Sequence, residues 1–201
     1  MDVCGIDEAG RGSMVGPLVV AGVAADRPGL RMLRSMGVRD SKRLSPASRE
    51  RLYGMIRSVA RVSVSKVPPR SIDASVRRHG LNDLEARYMA RVAAALGSRT
   101  TYVDACDVDA ARFGRRVSEL SGLRIRSHHR ADSRFAIVSA ASIIAKVERD
   151  RAVARLGLGS GYPSDPVCRR RLARLYAEAG SMPSFARKSW RPVAAMMSGG
   201  S

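Results

Sequence analysis

Apolar and polar positions change rhythm along this chain, and the changes predict an α/β architecture with a mixed sheet. Val3 to Asp7 reads as a short strand, and Leu18 to Ala24 as a second, valine- and alanine-rich one. A glycine-rich connection makes them a hairpin-like pair, although it is longer than a tight turn. Ser45 then Pro46 reads as an N-cap and first helical residue, with the helix running to about Ser58. Val62 and Val64 alternate with polar residues, a half-buried strand over Arg61 to Val67.

Pro68-Pro69 breaks the pattern, and a helix from Ser71 to Arg78 follows, ended by Gly80. Asn82 and Glu85 have capping-box spacing for a helix to Leu96. Thr100 to Asp104 is a β-branched strand that ends in an acid. Asp109 caps a helix to about Leu120, and Leu123 to Arg126 is a short strand. Small apolar residues then recur at helical spacing from Ala136 to about Leu156. Gly157 to Pro163 is a loop, and Pro166 to Ala179 a last clear helix. Beyond Met182 the pattern weakens, and Ser198 to Ser201 reads as disordered.

Composition narrows the class. The 201 residues are 45% hydrophobic, enough for a core, and only 4% aromatic, so platforms for stacking unpaired bases are few. The formal net charge is +18 and the pI about 11.3. So large an excess points to a polyanion partner, since basic faces gain from counterion release on nucleic acid. Lysines stand only at Lys42, Lys66, Lys146 and Lys188, which makes each a distinctive choice over arginine. Three cysteines with no CxxC signal neither a disulfide framework nor a zinc site, and a reducing cytoplasm is expected. No basic leader precedes Asp2, Asp7 and Glu8. The apolar run from Met14 to Ala25 is too short to span a bilayer, so no membrane role is expected.

The chemistry gathers on acids. Gly5 to Gly12 reads GIDEAGRG: an apolar run, two adjacent carboxylates, then a glycine-arginine-glycine turn. Adjacent acids repel unless a cation lies between them. Glycines beside an arginine let backbone N–H groups approach a phosphate. Asp104 ends a predicted strand, and Asp132 lies just before a helix of small residues. Oxygen ligands without interleaved histidine or cysteine suit Mg²⁺ or Mn²⁺. Two such ions activate a water and stabilise the leaving oxygen of a phosphodiester. Asp7 and Glu8 point to opposite faces of a regular strand. They share a site only if the strand ends or bulges there, or if Glu8 uses its backbone carbonyl. Asp107 and Asp109 read as caps or solvated charges, His128 and His129 as surface or substrate-edge residues, and Cys4 and Cys106 as buried packing residues.

The segments GIDEAGRGSMVGPLVV (5–20), DSKRLS (40–45), YVDACDVD (102–109), HRADSRFAIVSAASIIAKVERD (129–150) and GSGYPSDP (159–166) together resemble type 2 ribonuclease H, or ribonuclease HII. GSGYPSDP and RKSW (187–190) are most similar to the archaeal branch. The resemblance implies an RNase H-like mixed β-sheet flanked by helices, with a C-terminal helical extension. As domains it implies a catalytic core over residues 1–160 and an extension over 161–201 packed on it as one compact, monomeric unit. It places four metal-binding acids on Asp7, Glu8, Asp104 and Asp132, holding two Mg²⁺ or Mn²⁺ ions. It also implies that Gly10, Arg11 and Gly12 recognise the ribose 2′-hydroxyl and a phosphate, and that Tyr162 packs on the sugar at the RNA-to-DNA junction. The resemblance also puts Lys42 and Lys146 near substrate phosphates.

The implied activity is endonucleolytic, in RNA primer and ribonucleotide removal. It cuts the RNA strand of RNA–DNA hybrids and cuts 5′ of single ribonucleotides in duplex DNA, leaving a 3′-hydroxyl and a 5′-phosphate. The tail shows no glutamine-aliphatic-aromatic pattern, so a sliding-clamp peptide is not evident. Two other readings stay open: a nonenzymatic nucleic-acid binder, and a different metal-dependent nuclease of the same fold, such as a junction resolvase or a type 1 enzyme.

Overall fold

The first two strands build the centre of the sheet. In the computed structural model, which describes residues 2–38 and 44–198, β1 (Val3–Ala9) and β2 (Leu18–Ala25) are antiparallel. Their register runs from Val3 opposite Ala25 to Ala9 opposite Val19. β4 (Thr100–Asp104) lies parallel to β1, and β5 (Ile125–His128) parallel to β4. With β3 (Arg61–Val67), the strand order is β3-β2-β1-β4-β5, a mixed sheet as the pattern predicts. Every residue of β2 is buried, which is why it reads as an apolar run rather than an alternation.

Contacts divide the chain into two compact units. One comprises Met1–Ala9, Val19–Ser65 and Asn82–Val147; the other comprises Gly10–Leu18, Lys66–Leu81 and Glu148–Ser201. In the first unit, one sheet face is covered by α1 (Arg27–Ser35), α2 (Pro46–Val59) and the early turns of α7 (Ala136–Ala154). Leu33, Ile56, Ile137 and Ile144 pack there. The other face is covered by α4 (Leu81–Leu96) and α5 (Ala110–Ser121), through Met89, Val92, Phe113 and Val117. Gly5 sets how closely α7 approaches: a Cβ there would lie 2.4 Å from the Ile137 carbonyl carbon. The Ser139 hydroxyl ties the same helix to the Val38 carbonyl.

The second unit has its own core of Met14, Val15, Val153, Leu158, Cys168, Leu172 and Val193. It contains α3 (Pro69–Val76), α8 (Pro166–Ala179) and α9 (Arg191–Met197). Asp165 caps α8 by accepting from Val167 N–H at 2.8 Å; hydrogen bonds from Ser160, its N–H at 2.6 Å first, and then the α8 N–H groups hold its carboxyl down at about 2. Among the described residues, no helix is long and apolar enough to cross a membrane.

Several expectations shift. β1 runs two residues past Asp7, and β5 begins two residues after Leu123. α3 starts at Pro69, using proline's fixed φ in its first turn. Asn82 is not a cap: it lies inside α4 and donates to Asp107 at 3.0 Å, while Glu85 is fully buried. α1 escapes the pattern, although Asp26 caps it by accepting from Gly29 N–H at 2.8 Å. Cys4 is buried as expected, its thiol pushed up to about 12 by burial, whereas Cys106 is half-buried. Lys42, its neighbours Asp40, Ser41 and Arg43, and the tail from Gly199 lie outside the described residues.

Two glycine substitutions separate packing from propensity. Gly5→Ala is expected to destabilise the protein by about 2–3 kcal/mol, because the methyl meets α7 backbone that cannot yield. Gly54→Ala, at an exposed position inside α2 with open space around it, is expected to stabilise by about 1 kcal/mol. Denaturant midpoints of the two variants check both signs.

Candidate active site

Asp7 reaches its place because β1 alternates. Gly5 and Asp7 face α7, whereas Cys4 and Ile6 face α4 and α5. Asp104 is the last residue of β4, and its carboxylate accepts from Ala131 N–H at 3.2 Å. That bond holds the start of α6 (Ala131–Arg134), which carries the buried Asp132. One carboxylate oxygen from each of Asp7, Asp104 and Asp132 lies within 4.8 Å of the others. They open on a cavity of about 610 Å³ that is also lined by Glu8, His129, Arg130 and Lys146.

Glu8 is the exception among the expected acids. The ladder continues regularly through Glu8 opposite Val20, with no bulge, so its side chain leaves β1 on the face opposite Asp7. It is not one of the three closely grouped acids, yet it lines the same cavity. Pairing of β1 with β4 stops at Ile6 opposite Val103, so Asp7 and Glu8 both lie beyond the last paired residue on that side.

The electrostatics follow from this crowding. Burial, and then the charges of Asp104 and Asp132, push the Asp7 carboxyl up to about 7. A hydrogen bond from Ser142 and the Glu8 N–H at 2.8 Å act in the opposite direction. Ser142 reads in the sequence as a packing residue. Its position one helical turn before Lys146 on α7 was the available signal. Oxygen-only donors at this spacing, two of the three acids buried, fit a hard divalent cation such as Mg²⁺ or Mn²⁺. His129 is exposed at the cavity. His128 instead stacks near Tyr102, with burial holding its imidazole below the usual range.

The glycine-arginine-glycine turn and Tyr162 both fall in the second unit. Gly10 takes φ +86°, and its carbonyl accepts from Ser13 N–H at 3.2 Å. Arg149, nearly fully buried, joins the turn to the tyrosine loop. Its guanidinium lies 4.2 Å from the centre of the Tyr162 ring and donates to Ser13 Oγ at 2.8 Å and to the Ser160 carbonyl at 2.5 Å. The sequence gives Arg149 no distinguishing mark among so many arginines.

A raised carboxyl makes a signed prediction. Between about pH 4 and 7 the folded metal-free protein holds a proton on Asp7 that the unfolded chain has released. Stability from this group is therefore present at low pH and lost as pH rises through 7. Asp7→Asn should erase that loss, so without metal the variant is the more stable protein at pH 8, by up to about 4 kcal/mol. Melting of both proteins in chelator from pH 4 to 8 checks it; a difference that does not grow with pH refutes it.

A family model described as Ribonuclease HII matches residues 4–193. A ribonuclease HII of Cenarchaeum symbiosum is 58% identical over the whole of both chains. The ribonuclease H2 structure of Pyrococcus horikoshii superposes with TM-score 0.91 at 38% identity, covering 98% of each chain. The enzyme in a PCNA:RNase HII complex from Archaeoglobus fulgidus gives 0.88 at 41%, covering 95% of this chain and 96% of that one. The chain belongs to the ribonuclease HII family: it is a metal-dependent endoribonuclease of RNase H-like fold that acts on RNA–DNA hybrids.

Proposed function

We propose that the acid pocket also cuts duplex DNA 5′ of a single embedded ribonucleotide, leaving a 3′-hydroxyl and a 5′-phosphate. The observation that carries this reading is the grouping of Asp7, Asp104 and Asp132 within 4.8 Å in a cavity whose other walls include Arg130 and Lys146. Carboxylates alone would repel a phosphodiester; carboxylates that hold cations, with basic side chains beside them, attract one.

Asp7, Asp104 and Asp132, completed by Glu8, would hold two Mg²⁺ or Mn²⁺ ions. Such ions, when bound, polarise the scissile phosphate and lower the pKa of water. The chain's own part is orientation. Ser142 and the Glu8 N–H fix the Asp7 carboxylate, and the Ala131 N–H fixes that of Asp104. Lys146 and Arg130 offset phosphate charge at the cavity wall. Lys42, which lies outside the described residues, is expected beside the phosphates as well. Gly10, Arg11 and Gly12 present backbone donors to the ribose 2′-hydroxyl, the group that separates RNA from DNA on the sugar. Tyr162, held from behind by Arg149, packs on the sugar at the junction.

Cleavage mapping on a duplex with one ribonucleotide tests the reading. Cutting is expected 5′ of the ribonucleotide with Mg²⁺ or Mn²⁺ and not in chelator. Asp7→Asn should lose about two to three orders of magnitude in kcat, and wild-type cleavage by that variant would sink the assignment. Tyr162→Ala should lose about tenfold in preference for the junction, the worth of one aromatic contact, with Mn²⁺ affinity unchanged. Cleavage of RNA–DNA hybrids with binding but no cutting of the single-ribonucleotide duplex would restrict the activity to hybrids and overturn the proposal.

A further inference from the structure

Arg187 is fully buried, in the second unit, and takes no part in the acid pocket. A guanidinium removed from water is costly unless its donors are met. Here two of its three nitrogens converge on one loop: Nη1 donates to the Arg11 carbonyl at 2.8 Å and Nε to the Gly16 carbonyl at 3.1 Å. The main chain joins the same segments. Arg187 N–H donates to the Met14 carbonyl at 2.8 Å, Gly16 N–H to that of Phe185 at 2.8 Å, and Val15 bridges Ala186. The next residues are anchored to α3: buried Asp73 accepts from Lys188 N–H at 3.0 Å, Ser189 N–H at 2.9 Å and Ser189 Oγ at 2.5 Å.

The carbonyl of Arg11 and the N–H of Gly12 belong to one peptide group. No peptide bond among the described residues is cis, so the two point in opposite directions across a rigid plane. Holding the carbonyl inward on Arg187 therefore aims the Gly12 N–H outward. Gly12 is exposed, with open space for 4 Å around the place of a Cβ. A charged donor on the carbonyl also polarises the peptide and strengthens its N–H as a donor.

We propose that Arg187 is a positioning residue for the Gly10-Arg11-Gly12 turn. It orients the Arg11–Gly12 peptide so that the Gly12 N–H stands aimed at a substrate oxygen before substrate arrives, and Asp73 secures the segment that carries it. This rests on the reading of the turn as the part that recognises the ribose. The fork of the guanidinium suits it to reach two carbonyls at once; a lysine, with one nitrogen, does so poorly.

The test uses Arg187→Lys and Arg187→Met in the full chain, with two measurements. The first is the ¹⁵N relaxation order parameter of Gly12, expected to fall from about 0.85 to below about 0.6. The second is the ratio of affinities, in chelator, for a duplex with one ribonucleotide and the same duplex in all-DNA form. That ratio should fall by about tenfold, while all-DNA affinity and Mn²⁺ binding hold. Arg187→Lys should lie between wild type and Arg187→Met. Where the wild type prefers the ribose, a folded variant that keeps either the wild-type order parameter or the wild-type ratio overturns the proposal. Should neither Arg187 variant fold, Asp73→Asn decides on the same two measurements. A wild-type protein that shows no ribose preference would sink the reading of the turn, while a mobile Gly12 in the variants would still uphold the clamp.

Discussion

Three carboxylates held within a few ångströms of one another, two of them buried, repel strongly in a low-dielectric setting. The first unit is organised around sustaining that repulsion. β1 and β4 run parallel and carry Asp7 and Asp104 out at the same end of the sheet, and α6 brings Asp132 to them. Gly5 lets α7 lie directly on β1, which puts Ser142 against Asp7 and Lys146 at the cavity. Without a cation, the site relieves the cost of burial, and then the repulsion, by keeping a proton, which is what a carboxyl raised to about 7 means. A cation held there would turn the same crowding into affinity, so that the cost in metal-free stability and the capacity to hold metal would have one origin.

The second unit solves a different problem, the orientation of main-chain donors. Glycine supplies freedom of φ at Gly10 but no rigidity of its own. Rigidity comes from buried arginines, Arg149 between the turn and the Tyr162 loop and Arg187 beneath the Arg11 carbonyl. In a chain of charge +18, most of the described arginines are exposed. These two are spent on carbonyls and aromatic rings instead, where a planar fork serves better than a point charge.

The strands, the capped helices beginning at Pro46, Ala110 and Pro166, and the acids Asp7, Asp104 and Asp132 were all legible before any coordinates, because caps, periods and adjacent charges are local signals. Asn82 was misread because its side chain has a better partner in Asp107, 25 residues away. α1 was missed although Asp26 and Pro28 mark its start, because only Gly29 and Leu33 of its nine residues are buried, too few to set a period. Ser142 looked like packing because a small polar residue on a buried helix carries no local sign of the acid it will meet.

By itself, then, the sequence determined the class of chemistry, since oxygen donors, a glycine-flanked arginine and a large positive charge constrain what can bind. Only the tertiary structure decided how neighbouring Asp7 and Glu8 come to line one cavity. They leave opposite faces of a regular strand, and they do so beyond Ile6, where pairing with β4 has ended. It alone also separated Arg149 and Arg187 from the other arginines. Burial and partner choice are set by contacts across 136 and 176 residues of chain, and no local pattern encodes those.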